Sequence, residues 1–224
     1  MTLPTLIHNY KYHVLQVQLK AAYSDLNNAA KMFQIHNDMS VSEYAEINNT
    51  KQTLLQFQKE LSNVIKSSDL TYTSTDSDGN TIGAAPYRWG VISNYYKKQA
   101  STCDVSGFIW DAKGRTISFD DSPNNGQNGP KVCIDINGEQ KPNVYGIDYF
   151  IFMFTVDGYV IPWGKEHPNN PPECPGTTTY YNCTIQLNKC DFSDQPYACA
   201  NYALIDQHPN KNGKNYWKDF LSRK

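Results

Sequence analysis

The residues best suited to chemistry lie in one stretch, DINGEQKPNVYGID, at positions 135–148. Asp135 and Asn137 are two positions apart and precede Gly138, as at the start of a calcium-binding loop, and Asp148 can supply a third oxygen. The same stretch also fits a pair of turns in which Asp and Asn side chains bond their own backbone and Gly138 and Gly146 take positive φ. Calcium is therefore the one cofactor that the sequence indicates, with the turn interpretation left open.

Histidines and nucleophile motifs give no support to catalysis. The sequence has no H-E-x-x-H helix, no G-x-S-x-G elbow, no P-loop and no dinucleotide fingerprint. The histidines are scattered along the chain: His8, His13, His36, His167 and His208. We therefore predict a protein that is not an enzyme.

Cysteines are even in number and widely spaced, at positions Cys103, Cys133, Cys174, Cys183, Cys190 and Cys199. None forms a C-x-x-C pair, which argues against zinc ribbons and thioredoxin-like sites. The pattern favours disulfides and an oxidising compartment, namely the periplasm or the exterior, over buried free thiols in a cytosolic protein. Cys103 with Cys133 is the first pairing we expect.

Charge and hydropathy exclude two classes of partner for these 224 residues. With 20 Lys and Arg against 22 Asp and Glu and no basic block, no nucleic-acid partner is predicted. No apolar run reaches the roughly 18 residues of a membrane span, and the first residues lack the features of a signal peptide. Because disulfides require export, we expect the natural protein to extend upstream of Met1.

Helical periodicity dominates the first part of the chain. Residues 5–36 carry an apolar stripe with steps of three and four: Leu15, Leu19, Ala22, Leu26, Ala29 and Phe33. A second helix is predicted from Ser42 to Ser67, capped by Ser40 or Ser42, and a short one from Tyr87 to Gln99.

After Cys103 the pattern changes to short β-branched and aromatic runs separated by turn residues. These runs predict antiparallel strands within residues 105–111, 115–121, 130–138, 147–157 and 158–164, with a type I′ hairpin at Asp157-Gly158. The predicted fold is α+β: a long N-terminal amphipathic helix packed on an antiparallel sheet, with a disulfide-stapled C-terminal region. It forms one globular domain made of the helix (1–36), a helical and loop insertion (37–100) and a β head (101–224).

Two segments resemble the type IV pilin-like family, which includes the pseudopilins of type II secretion. Residues 2–33, TLPTLIHNYKYHVLQVQLKAAYSDLNNAAKMF, resemble the part of the pilin helix that follows the leader and the hydrophobic half-helix. Residues 135–164 are similar to the D-x-N-G, P-N, G-x-D-x-F and D-G pattern of some prepilin-type heads. The peptidase site, the Glu of the mature N-terminus and most of the membrane half of the helix are absent from this sequence.

The resemblance implies a non-catalytic structural subunit of a pilus-like filament or a secretion pseudopilus, periplasmic or extracellular and pilin-like in fold. Its partners are then other subunits, bound through the N-terminal helix, and the inner membrane, reached through the absent segment. The residues expected to pack the helix on the head are Leu15, Leu19, Ala22, Leu26 and Phe33. The alternative is a secreted adhesin or carbohydrate-binding module whose aromatics stack on a glycan, for which Trp163, Tyr180, Tyr181 and Trp217 are the candidates.

Overall fold

A long helix, α1, spans Leu3–Asn37 and is the first element of the fold. The computed structural model describes residues 3–65, 71–73, 108–120, 128–138, 140–165, 190–192 and 196–221. With 35 residues, α1 is a rod of about 52 Å at about 1.5 Å per residue. Asp38 then takes a positive φ of 54° and turns the chain away from the helix axis. The helix predicted from Tyr87 to Gln99 lies outside the described residues.

Two helices, rather than the single one predicted from Ser42 to Ser67, follow α1. They are α2, Val41–Ile47, and α3, Thr50–Ile65. Ser40 caps α2 in a capping box with Glu43. The break falls at Asn48 and Asn49: Asn48 is extended, and the Asn49 side chain accepts a hydrogen bond from the Gln52 N–H at 2.8 Å. The prediction was wrong here because Asn side chains compete for backbone groups and favour a new helix start.

Six strands form one antiparallel sheet in the order β1-β2-β3-β4-β5-β6, which confirms the predicted α+β class. Each strand pairs with the next along the chain, as in a meander. The strands are β1 Thr71–Thr73, β2 Phe108–Trp110, β3 Thr116–Asp120, β4 Lys131–Asp135, β5 Tyr149–Phe154 and β6 Val160–Pro162.

The hairpin between β5 and β6 lies where it was predicted but has a different turn. A type I′ turn needs positive φ at both central residues, and Asp157 is not among the non-glycine residues with positive φ. Gly158 alone takes a positive φ in this loop, 82°, and its N–H donates to the Thr155 carbonyl at 3.0 Å. This is the pattern of a three-residue loop in which a type I turn is followed by a left-handed glycine.

The α1 stripe forms the centre of the hydrophobic core. Leu15 is 3% exposed, and Leu19, Ala22, Leu26, Ala29 and Phe33 are 0% exposed. Phe57 of α3 packs against Phe119 of β3 and Phe154 of β5, with ring centroids 5.3 and 5.1 Å apart. Each buried Leu or Phe of this kind contributes about 1.5–3 kcal/mol relative to an exposed position, so the stripe fixes α1 to the sheet.

Helix α1 also covers the outer edge of β6. The Tyr23 hydroxyl donates to the Val160 carbonyl at 2.9 Å, and the Val160 N–H donates to Asn27 Oδ1 at 3.1 Å. Tyr23 and Asn27 are one helical turn apart and therefore lie on the same side of α1. Both backbone groups of an edge-strand residue are thus bonded by side chains of the helix.

A small C-terminal lobe packs beside the N-terminal half of α1. It contains a 3-10 turn, Pro196–Ala198, a short helix α4, Cys199–Ile205, and a π-helical turn, Tyr216–Phe220. The Trp217 ring lies 6.4 Å from the Tyr12 ring and 6.1 Å from the Phe150 ring. The end of the described chain is therefore joined both to α1 and to β5.

Candidate functional site

The predicted residues Asp135, Asn137 and Asp148 meet where β4 leaves the sheet and β5 enters it. Asp135 is the last residue of β4 and pairs with Tyr149 of β5. The N–H of Ile136 donates to the Asp148 carbonyl at 2.9 Å. We call Asp135, Asn137, Asn143 and Asp148 the Asp148 junction. Antiparallel pairing therefore brings together side chains that are thirteen or fewer positions apart in the sequence.

Asp148 organises the turn that precedes β5. Its two carboxylate oxygens accept hydrogen bonds from the N–H groups of Asn143 at 2.9 Å and Val144 at 2.7 Å. Asn143 has a φ of 52°, a conformation that Asn tolerates better than most residues. Burial raises the pKa of Asp148 to about 6, and the bonds from Val144, Asn143 and the Asn137 side chain only partly oppose that rise.

Asp135 and Asn137 organise the turn that follows β4. The Asn137 N–H donates to Asp135 Oδ1 at 3.2 Å, and Asn137 Nδ2 donates to the Gln140 carbonyl at 2.9 Å. Gly138 and Gly146 have φ values of 63° and 78°. These bonds and dihedrals match the interpretation of the stretch as a pair of turns.

The junction has few oxygens for a cation. Asp135 and Asp148 are both 0% exposed, and Asn137 Oδ1 is a buried oxygen without a hydrogen-bond partner. Ca²⁺ takes about six to eight oxygens, and no group of three or more His, Cys, Asp or Glu able to hold a metal occurs among the described residues. The calcium site at Asp135, Asn137 and Asp148 therefore stays a prediction.

A disulfide of the C-terminal lobe lies beside Gly146, two residues before Asp148 of the junction. Cys190 and Cys199 are bonded, with Cα atoms 4.5 Å apart, which confirms a disulfide in this region. The Tyr216 hydroxyl is buried beside it and donates to the Gly146 carbonyl at 2.5 Å. A Cβ on Gly146 would lie 3.0 Å from both Cys199 Sγ and the Tyr216 hydroxyl, so only glycine fits at this position without movement.

The other cysteines are only partly described. Cys133, on β4, is disulfide-bonded, and its partner lies outside the described residues. Cys103, Cys174 and Cys183 lie outside them too, so the expected pairing of Cys103 with Cys133 stays a prediction.

Sequence reasoning missed an ion cluster between α1 and the turn joining β2 to β3. Asp25 Oδ2 lies 2.7 Å from Lys113 Nζ and 2.8 Å from Arg115 Nη2, and Arg115 Nε lies 2.5 Å from Asp111 Oδ2. The Arg115 side chain is 3% exposed, so its charge is neutralised inside the protein. The signal in the sequence was the turn DAKGR, which has an acid at one end and a base at the other.

Of the aromatics proposed to stack on a glycan, Trp217 is not available. It is 4% exposed, and its indole N–H donates to the Ala203 carbonyl at 2.8 Å, so that part of the alternative was wrong. Trp163 is half-buried with Lys131 Nζ 4.6 Å from its ring centroid. Tyr180 and Tyr181 lie outside the described residues.

The beginning of α1 exposes apolar side chains that have no place in the core. Leu6 is 56% exposed, Ile7 61% and Tyr10 70%. Tyr12, at 9%, is the first of the described side chains of α1 to be buried. The first turns of the helix therefore present these apolar side chains to solvent.

Within the described parts of the chain, no helix combines the length and the apolar composition needed to cross a membrane.

Comparisons of the chain with protein-family models, with curated proteins and with solved structures found no match.

Proposed function

We propose that this chain is the head portion of a non-catalytic structural subunit of a type IV pilus-like filament or a type II secretion pseudopilus. In this role α1 continues upstream as the apolar helix that anchors the subunit and then packs in the filament. The Asp148 junction and the disulfide stabilise the head, and neither is needed for a reaction.

The observation that carries the proposal is the division of α1 into two parts. From Tyr12 to Phe33 the side chains of the apolar stripe are buried in the head, while Val17, which is 54% exposed, lies off that stripe. Before Tyr12, Leu6, Ile7 and Tyr10 are more than half exposed. Contiguous apolar side chains exposed in this way are typical of a surface that meets another molecule. A subunit that assembles through its N-terminal helix gives both parts of α1 a use.

The sheet supports the same role. The helix is held by the buried stripe, by Tyr23 and Asn27 on β6, and by the Asp25 ion cluster on the β2–β3 turn. These attachments are spread along α1, so force applied to the helix is transmitted to the whole head. A filament subunit requires this rigidity between its helix and its displayed surface.

The test is the reading frame upstream of Met1 together with the protein it encodes. We expect a short basic leader, a glycine, an aromatic or Met, a Glu four residues later and an apolar run. The full-length protein should become shorter when it is co-expressed with a prepilin peptidase, and a Gly→Leu change at the cleavage site should prevent this. An in-frame stop codon directly before Met1, or a full-length protein that is never cleaved, would refute the proposal.

A further inference from the structure

An Asn-Gly step is the dipeptide in which a side-chain amide reacts most readily with its own backbone. The sequence has four such steps, which begin at Asn125, Asn128, Asn137 and Asn212. Glycine has no side chain to shield its nitrogen and rotates more freely than other residues, so that nitrogen can reach the side-chain carbonyl carbon of the preceding Asn. Asn125 lies outside the described residues, and the other three steps differ in what holds them.

The step at Asn128 is held by the sheet. Gly129 is buried, and its N–H donates to the Phe154 carbonyl at 2.8 Å. Asn128 Oδ1 accepts a hydrogen bond from the Val156 N–H at 3.0 Å. The backbone nitrogen and the side-chain amide of this step are therefore both bonded elsewhere, and they can meet only after the chain around residue 128 separates from the end of β5.

The step at Asn137 is held within the Asp148 junction. Asn137 Nδ2 donates to the Gln140 carbonyl at 2.9 Å, and the same side chain bonds to Asp148. Gly138 is buried, and a Cβ on it would overlap the Gly114 carbonyl oxygen. The Asn137 side chain therefore cannot turn toward the Gly138 nitrogen without breaking bonds of the junction.

The step at Asn212 is exposed in the C-terminal lobe. Both Asn212 and Gly213 face solvent, and neither takes part in a hydrogen bond, an ion pair or a ring contact within the described part of the chain. Nothing lies within 4 Å of the position that a Cβ would take on Gly213. Water and hydroxide therefore reach the Asn212 amide and the Gly213 nitrogen directly.

A single weak turn surrounds this step. The Lys214 N–H donates to the Lys211 carbonyl at 3.4 Å. Gly213 has a φ of 71°, and Asn212 is not among the residues with positive φ, which is the pattern of a type II turn. Rotation about the Asn212 ψ angle brings the Gly213 nitrogen to the side chain and opens the turn. The bond then lost is longer than the usual range of about 2.7–3.2 Å for N–H···O bonds, so the rotation costs little free energy.

We propose that Asn212 is a site of spontaneous deamidation. The Gly213 nitrogen loses its proton and bonds to Asn212 Cγ, the bond from Cγ to the side-chain nitrogen breaks, and ammonia leaves with the proton. A cyclic succinimide remains. Water then adds to either carbonyl of the ring and opens it. The products are aspartate at position 212 and isoaspartate, in which the main chain continues through the side-chain carbon.

Charge adds little to the selection of this site. Lys211 and Lys214 flank the step and are exposed. A nearby positive charge favours the deprotonated form of a group, here the Gly213 nitrogen, but the effect is small between exposed groups. Exposure and freedom from hydrogen bonds therefore select Asn212. The modification goes beyond the proposed function, since it requires only this chain and water.

The experiment measures deamidation at the three described steps in one sample. The full 224-residue chain is incubated folded in mildly alkaline buffer made with heavy-oxygen water, so that every ring opening during the incubation adds a heavy oxygen. Peptide mapping by tandem mass spectrometry then locates the label and separates aspartate from isoaspartate.

We expect the label at Asn212 to accumulate at least about tenfold faster than at Asn128 or Asn137. The two held steps react only from locally open states, and an opening free energy of about 1.4 kcal/mol gives a factor of ten. Both aspartate and isoaspartate should appear at position 212, because water opens the ring at either carbonyl.

Two controls separate the effect of the fold from that of the dipeptide. In concentrated urea, with the disulfides reduced, the three steps are equally free, and their labelling rates should converge. The variant Asn212→Gln keeps an exposed amide but places its carbonyl carbon a methylene group farther from the backbone. Ring closure is then slower, and position 212 should take up far less label. Thermal melting checks that the variant is folded.

Three results would overturn the proposal. The first is an Asn212 that stays unlabelled in the folded chain while it reacts in urea, because the turn would then protect it. The second is labelling of Asn128 or Asn137 as fast as Asn212 in the folded chain, because hydrogen bonds and burial would then not select the site. The third is a product that contains aspartate alone, because direct hydrolysis of the amide gives no isoaspartate. None of these results depends on what lies upstream of Met1.

Discussion

Because the carboxyl of Asp148 is buried, we expect its ionisation to lower the free energy of unfolding as the pH rises. Its pKa is about 6 in the folded chain, against a reference value of 3.8. The folded state therefore holds the proton more tightly than the unfolded state does. At about 1.4 kcal/mol per pKa unit, the difference corresponds to about 3 kcal/mol. This stability is present below about pH 4 and is lost as the pH rises to about 6.

The perturbation that isolates this effect is Asp148→Asn, which cannot ionise. We expect the free energy of unfolding of the wild type, taken relative to the variant, to fall by about 2.4 kcal/mol between pH 4 and pH 7, because at pH 4 the unfolded carboxyl is already partly ionised. Urea denaturation at each pH measures it, and taking the difference between two nearly identical chains cancels the titration of other carboxyls. A difference that stays constant, or that grows in favour of the wild type as the pH rises, would refute the reasoning. It would mean that a positive charge compensates Asp148.

Three further changes test other parts of the structure. Gly146→Ala should lower the free energy of unfolding, measured by urea denaturation, by about 3 kcal/mol, because a left-handed φ costs about 1–2 kcal/mol and overpacking costs about 1–3 kcal/mol. The matched control is Gly213→Ala, at φ 71° with nothing within 4 Å of the added Cβ. It should lower the free energy of unfolding by only about 1 kcal/mol. Equal losses in the two variants would contradict the close packing at Gly146. Tyr23→Phe should lower the free energy of unfolding by about 1 kcal/mol, since the Val160 carbonyl loses its donor; an unchanged urea midpoint would argue against that bond. If the junction binds calcium, millimolar calcium should raise the melting temperature of the wild type but not of Asp148→Asn, and no rise in the wild type would count against the site.

Elements with a strong hydrophobic period were predictable from the sequence. The α1 stripe and the five aromatic and β-branched runs after Cys103 lead directly to α1 and to strands β2 to β6, because burial of one face decides both patterns. The break between α2 and α3 was missed because Leu54 and Phe57 continue a helical period past it. Only the competition of the Asn49 side chain for backbone N–H groups reveals the boundary.

The nearness of Asp135, Asn137 and Asp148 could be predicted from the sequence, but the inclusion of Asn143 and the geometry of the turns could not. The spacing of Asp135, Asn137 and Asp148 indicated that they act together, and antiparallel pairing of β4 with β5 places them together. Their partners are backbone N–H groups, whose directions depend on turn dihedrals that no residue type fixes. The Asp25 cluster could not be predicted from the sequence for a related reason. Arg115 is 90 positions away from Asp25, and only the tertiary fold makes Asp25 and Arg115 neighbours.

The contact of Tyr23 and Asn27 with Val160 leaves strand β6 without any outward-facing N–H to offer another strand. Val160 and Pro162 are the β6 residues that face away from β5; the first has its N–H bonded to Asn27, and proline has none. An extended peptide or the edge of a misfolded neighbour therefore finds no donor on β6 with which to extend the sheet. Molecules of this protein can be crowded together without recruiting one another into amyloid-like stacks through this edge, and that protection lasts as long as α1 stays in place.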